Sequence, residues 1–253
     1  MISIKTPQEI AIMRQAGKIL ARVMKEVIAK TIKGVSTLEL DQLAEELILK
    51  AGAKPAFKGF KEKGRVYPAT LCTSINHQVV HAVPLNKQIL QNGDIIGLDC
   101  GLKYQGYFAD MAVTLAIGQV NSQTKKLIKV TEKSLDLAVK KIKSGIYLGD
   151  ISAVIQTYVE KNDFSIVREL SGHGIGKKLH EWPSILNYGQ PGTGPKLEAG
   201  MVLAIEPMVN IGDWKIKVAD DGWTVVTADH SLSAHFEHTI LVTKNGAEIL
   251  TKL

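Results

Sequence analysis

The sequence predicts an α+β protein made of two related α/β halves, about 1–118 and 119–253, meeting at antiparallel strands, on three observations. First, Asp94 to Gly118 (DIIGLDCGLKYQGYFADMAVTLAIG) reads as two apolar strands joined at Tyr104-Gln105-Gly106-Tyr107, where Gly106 can take the positive φ of a tight turn. Second, Leu90–Asp99 (LQNGDIIGLD) and Leu197–Glu206 (LEAGMVLAIE) align without gaps, each ending in an acid, and Gly34, Val35, Leu40 and Leu43 match Gly145, Ile146, Ile151 and Val154 upstream. Two matches in the same order favour duplication over chance. Third, Asp213 to Leu253 reads as antiparallel β, with turns at Asp221-Gly222 and Asn245-Gly246.

Each element has a local reason. Thr6-Pro7-Gln8-Glu9 is a capping box with proline at the first helical position, and Met13, Ala16, Leu20, Val23 and Val27 give the helix that follows, to about Thr31, one apolar face. Ser36 to Glu39 is a second capping box, opening a helix buried along Leu40, Leu43, Leu47 and Ile48 and stopped by Gly52. A loop is expected from Ala53 to Pro68, then LCTSINHQVVHAVP, which mixes short strand signals with Asn76, His77, His81 and Pro84. Beyond the hairpin, Ser122 to Lys143 reads as a helix buried along Ile128, Leu135, Ala138 and Ile142. Asp150 then opens a shorter helix with Ile151, Val154 and Tyr158 inward, followed by a strand, SIVREL, and a histidine-bearing loop, GHGIGKKLHEWP.

The hairpin sets two acids in apolar strand sequence. If Tyr104 pairs with Tyr107, Asp99 lies opposite Ala112, and Asp99 and Asp110 become diagonal neighbours on one face, roughly 7–8 Å apart at the backbone. Two carboxylates facing one volume repel and are costly to desolvate, so a positive partner is expected. From the hairpin alone, a divalent metal and a lysine or arginine at a sheet surface are equal readings.

Bulk properties narrow the classes. At 253 residues the chain can bury a full core, and 45% hydrophobic with 22% charged residues excludes disorder and fibre. No apolar run reaches about 18 residues, and MISIKTPQEI lacks the features of a signal peptide, so a cytoplasmic protein with no membrane partner is expected. Cys72 and Cys100 are the only cysteines, which rules out a four-cysteine zinc site and leaves oxygen and imidazole as metal donors. The net charge of +6 favours an anionic partner, but the lysines are scattered through predicted helices, which reads as a solvated surface.

Glu237 is a further acid inside an apolar strand, HFEHTILVT. Asp99, Asp110, His173, Glu206 and Glu237 thus form a set of four carboxylates and one imidazole on or beside strands. At these residues the chain resembles the type I methionine aminopeptidases. The matching text is SINHQVVHAVP at His81, LDCG at Asp99, ADMAVT at Asp110, SGHGIGKKLHEWP at His173 and His180, AIEPM at Glu206 and SLSAHFEHTILVT at Glu237. The resemblance spans nearly the whole chain. About 25 residues separate His180 from Glu206, so the helical insertion of type II members is not expected, and neither is a zinc-finger extension.

The resemblance implies the pita-bread fold, a single catalytic domain over 1–253, and removal of the N-terminal methionine of peptides and nascent chains that carry a small second residue. It implies two divalent ions, with Asp110 and Glu237 bridging both, Asp99 on one, and His173 and Glu206 on the other. Such an oxygen-rich site suits Co, Mn, Fe or Zn, and four carboxylates balance two divalent charges. By the same resemblance, Glu206 also relays a proton, His81 contacts the scissile amide nitrogen or assists its departure, His180 hydrogen-bonds the developing oxyanion, and Tyr67, Cys72 and Trp223 build the methionine pocket.

Taken singly, His81 would be an ordinary loop histidine, the glycine-rich segment around His173 and His180 a turn, and Cys72 and Trp223 core residues. His77, His230, His235 and His238 are read as structural or surface. Leu179 stands where many relatives have Phe, and FKGFKEKGRV departs from their loop, which leaves pocket shape open. A monomer is expected, with ribosome association as a further partner. The rivals are a prolidase or Xaa-Pro aminopeptidase of the same fold, a non-enzymatic pita-bread binding protein and, less well supported, a basic RNA-binding protein.

Overall fold

The structure, a computed structural model, describes residues 2–62 and 64–252. The four helices form where their caps place them. In α1 (Pro7–Lys30) the Thr6 hydroxyl accepts from the Glu9 N–H while the Thr6 N–H donates to Glu9 Oε2 at 2.8 Å. In α2 (Thr37–Lys50) Ser36 and Glu39 repeat the arrangement, and Gly52 leaves the helix at φ +72°. Helix α3 runs Ser122–Lys141, two residues shorter than expected.

Helix α4 (Leu148–Lys161) begins two residues before Asp150, whose carboxylate instead reaches back to accept the Tyr147 N–H at 2.9 Å. Its buried stripe is Leu148, Ile151, Ile155 and Val159, with spacings of three and four, which leaves Val154 and Tyr158 half-buried on the flank. The strand expected over SIVREL is also shorter. Only Ser165–Ile166 pairs, with Asn210 and Val209, before the chain leaves to form Ser171–Gly174.

A nine-stranded sheet runs from Lys54–Pro55 through Ile95–Tyr104, Tyr107–Ala116, Glu237–Val242, Val202–Ile205 and Ser171–Gly174 to the edge strand Glu181–Leu186. Leu71–Ile75 adds to Ile95–Tyr104 and Ala247–Ile249 to Glu237–Val242, every pairing being antiparallel. One face carries Ile96, Leu98, Cys100, Leu102, Met111, Val113, Leu203, Ile205, Ile240 and Val242 into a core shared with all four helices. By strict alternation the opposite face carries Asp99, Asp110, Ala112, Glu237, Thr239, Ala204 and His173. The helices therefore cover one side of the sheet and leave the other as a curved floor.

The duplication is written in the backbone. Gly34 N–H donates to the Leu90 carbonyl and Leu90 N–H to Val35, and Gly145, Leu197 and Ile146 repeat that exchange at 2.8 Å each. Isolated bridges Ser36–Ile89 and Tyr147–Lys196 also correspond. The halves meet where only Glu237–Ala112 and His238–Met111 pair between Tyr107–Ala116 and Glu237–Val242. On either side of that short ladder a threonine hydroxyl stands in for the backbone. Thr239 Oγ1 donates to the Asp110 carbonyl at 2.7 Å and accepts its N–H at 2.9 Å, and Thr114 Oγ1 does the same for His235 at 2.8 and 2.9 Å.

Thr239 is fully buried, so Thr239→Val should leave both Asp110 backbone groups unpaired. The expected cost is about 1–3 kcal/mol, read as a lower midpoint in urea denaturation with unchanged slope.

Candidate active site

Following the ladders across the sheet locates each expected residue. Cys72 pairs with Asp99, Asp99 with Ala112, and Ala112 with Glu237, so one transverse row reads Cys72, Asp99, Ala112, Glu237. The next row places Thr239 beside Ala204 and Ala204 beside His173. Asp110 lies two residues before Ala112, and Glu206 two beyond Ala204. Small residues keep this floor low. A Cβ at Gly101 would lie 2.8 Å from the Phe57 ring and 3.2 Å from Asp110 Oδ1, and one at Gly172 would lie 2.4 Å from the Ala204 carbonyl oxygen.

The structure thus brings Asp99, Asp110, His173, Glu206 and Glu237 to the floor of one cleft of about 560 Å³, counting its mouth. Asp110, His173 and Glu237 each offer a donor atom within 4.8 Å of the others. His173 Nε2 lies 3.6 Å from Glu206 Oε1. The other ring nitrogen, Nδ1, is 2.9 Å from the Gly174 carbonyl, which selects the Nδ1–H tautomer and leaves the Nε2 lone pair facing the acids.

The electrostatics of this cluster are unbalanced. Asp99 Oδ1, Asp110 Oδ1 and Glu237 Oε1 are buried with no hydrogen-bond partner, among groups 8%, 4% and 2% exposed. Burial, with the neighbouring acids, pushes Asp110 and Glu237 well above the usual carboxylate range. Burial also raises Asp99 to about 7, against the pull of His235, and Glu206 to about 8. His173 is pushed down to about 4 by burial and then by His180, so its imidazole is neutral. Unpaired carboxyl oxygens beside a neutral imidazole lone pair are the donor set of a divalent cation. No lysine or arginine among the described residues forms an ion pair with these acids, which removes the alternative the hairpin left open.

His81 sits at the cleft wall at φ +59°, in the left-handed region where histidine is one of the few non-glycine residues enriched. His180 packs edge-on against the His173 ring at 4.5 Å and against Phe60 at 5.4 Å. Solvent reaches both through the cleft mouth, yet the surrounding protein still lowers both, His81 to about 4. Tyr67, Cys72 and Trp223 line the same cleft, Tyr67 edge-on to Trp223 at 5.3 Å. Burial, then Asp99, holds the Cys72 thiol well up, so it is a neutral wall.

Three residues escaped the sequence reading. The expected loop over 53–68 contains a small hairpin, Lys61–Glu62 with Arg65–Val66, and Phe57 and Phe60 beside it close the apolar wall with Leu179. Their aromatic character was the only local signal. His235 was read as structural or surface, but it is 3% exposed, with Nε2 unpartnered and 3.5 Å from Glu206 Oε2. Its position two residues before Glu237 puts it on the same face, a signal that was available. His77 and His230 lie together away from the floor, and His238 bonds Thr251.

The raised acids carry a sign. In the metal-free protein Asp99 and Glu206 bind protons more tightly folded than unfolded, so their contribution is present below about pH 4 and is lost as pH rises through about 7 to 8. The melting temperature of metal-free protein should therefore fall between pH 5 and pH 8. Added Mn should flatten that slope and raise the melting temperature with concentration, as calorimetry would show.

Comparison with known proteins supplies the family. The model of metallopeptidase family M24 matches residues 11–244. The methionine aminopeptidase of Clostridium perfringens is 50% identical over 251 residues, covering 99% of both chains. The crystal structure of methionine aminopeptidase from Thermotoga maritima superposes with a TM-score of 0.97 at 49% identity, covering 100% of both. The prolidase from Pyrococcus horikoshii shares the fold at a TM-score of 0.77 and 26% identity, over 98% of this chain and 63% of its own.

Proposed function

We propose, from the premise that this chain belongs to metallopeptidase family M24, that it is a methionine aminopeptidase, hydrolysing the first peptide bond of chains that begin with methionine and carry a small second residue. One observation carries the reading. The unpaired oxygens of Asp99, Asp110 and Glu237 open into a cleft whose remaining wall is apolar, so a metal-type floor and a side-chain pocket adjoin.

Asp99, Asp110, His173, Glu206 and Glu237 would hold two divalent ions. Four carboxylates then face four positive charges. Co, Mn, Fe or Zn held there supplies Lewis-acid polarisation and a water acidic enough to act as nucleophile near neutral pH. Glu206 accepts the proton released on attack and returns it to the departing amine, its second oxygen held toward the buried His235 ring. His81 contacts the scissile amide nitrogen. His180 donates a hydrogen bond to the oxygen on which charge develops.

Phe57, Phe60, Tyr67, Cys72, Leu179 and Trp223 form the pocket wall. An unbranched thioether can fill such an irregular aromatic space, and burying it contributes about 1.5–3 kcal/mol toward binding. This favours methionine over proline-directed cleavage, and the full donor set separates the chain from a binding protein with a decayed centre. The proposal extends to a single catalytic unit acting on nascent chains as a cytoplasmic monomer. Ribosome association belongs to the same reading and is tested by co-sedimentation with ribosomes. No helix among the described residues is long and apolar enough to cross a membrane.

Purified protein given Mn or Co should release methionine from Met-Ala-Ser and leave Xaa-Pro peptides lacking methionine uncut. Failure on every methionine peptide with every divalent metal would overturn the reading. Glu237→Ala should lower bound metal as well as rate, whereas His180→Ala should cost about 10²–10³ in kcat with metal content near normal, both read by metal analysis beside kinetics.

A further inference from the structure

The catalytic face of the sheet does not end at His173. Ser184 pairs with His173, and Leu186 with Ser171, so Ser171, Ser184 and Leu186 extend the same face to the edge strand. A second, more open depression of about 940 Å³ shares His173 and His180 with the cleft and continues past Ser171 and Ser184 to Leu170 and Trp182. It is the exit on the side away from the apolar pocket.

Trp182 is the unusual feature of this exit. In the Glu181–Leu186 strand Trp182, Ser184 and Leu186 are exposed while Pro183 and Ile185 are buried, so Trp182, 58% exposed, continues the exposed series of Ser184 and Leu186. Its backbone is held, because the Trp182 carbonyl lies where a Cβ at Gly174 would come within 2.4 Å. Among the described residues no aromatic ring packs on the indole and no lysine or arginine sits over it. The neighbouring acid does not compete for ligands, since Glu181 is engaged by Lys5 at 2.9 Å and by the Lys178 N–H at 3.1 Å.

We infer that Trp182 is a platform for the third residue of the substrate peptide, selecting a large apolar or aromatic side chain there. The inference rests on the aminopeptidase reading, which fixes the direction of the occupant. With the first side chain in the apolar pocket and the scissile bond at His81 and His180, the rest of the peptide leaves through this exit. Two residues of an extended substrate span about 6.6 Å, and Trp182, two positions after His180, lines the same depression as His180. A planar indole exposed along that path offers a third side chain its face, and a small or acidic one gains little from it.

The test compares Met-Ala-Phe with Met-Ala-Gly on Mn-loaded protein. The wild type should favour phenylalanine by about 2- to 10-fold in kcat/KM, carried by KM, and Trp182→Ala should bring that ratio close to one while Trp182→Phe retains part of it. A wild-type ratio of one, or an unchanged ratio in Trp182→Ala, would overturn the platform and leave the aminopeptidase reading standing. If no methionine peptide were cut, that reading would fail instead. Calorimetric titration with the same two peptides would still decide whether Trp182 discriminates between them, an equal affinity for both overturning the platform.

Discussion

Everything in the cleft follows from four carboxyl groups and an imidazole fixed on one face of a single antiparallel sheet. Period-two alternation is what makes this compatible with folding. The same strands that present Asp99, Asp110 and Glu237 upward press Leu98, Met111 and Ile240 downward into the helical core, so the apolar burial that stabilises the sheet also holds the acids in place. The acids cannot drift apart without taking the core with them, and their repulsion is left for a cation to relieve. A structure that needs a ligand to balance its charge is prepared to bind one without rearranging.

The floor divides the cleft into two environments. Toward Leu71–Ile75 the row ends at Cys72 and passes into Tyr67, Trp223 and the phenylalanines, where dispersion and shape decide what binds. Toward Ser171–Gly174 it ends in histidines and serines and opens to solvent at the sheet edge. A substrate with an apolar first side chain and a polar backbone beyond it matches that gradient in one orientation only, which sets direction before any chemistry begins.

Much of this was legible in the sequence because it depended on local rules. The Tyr104–Tyr107 turn fixes the hairpin register, and Asp99 opposite Ala112 follows from it without knowledge of the remaining fold. Capping boxes located α1 and α2 for the same reason. What was misread depended on neighbours distant in the chain. Val154 and Tyr158 fit an inward pattern until packing on α3 and the sheet selects the stripe through Ile151 and Ile155. SIVREL looks continuous, yet only the residues facing Val209 and Asn210 find a partner strand. The spacing of His235 from Glu237 places it on the floor's face, but its approach to Glu206, which lies beyond the end of Val202–Ile205, follows only from tertiary packing.

The duplication explains why a symmetric scaffold holds an asymmetric site. Asp99 and Glu206 end equivalent segments, and the register that sets Asp99 beside Ala112 would set Glu206 beside Glu237, one row beyond the observed Ile205–His238 pair. The two bridging threonines make Asp110 and His235 counterparts, since each has its backbone N–H and carbonyl held by the hydroxyl of Thr239 or Thr114. Extending the ladders likewise matches Ser74, opposite Gly97, to His173, opposite Ala204. The backbone thus offers paired positions, and the sequence fills each pair unequally, with Ala112 against Glu237, Asp110 against His235 and Ser74 against His173. A site with identical side chains in both halves would have no direction. A buried imidazole, His235, thus stands where the other half has an acid, and a second, His173, where it has a serine, which gathers the imidazoles around Glu206 at one end of the floor.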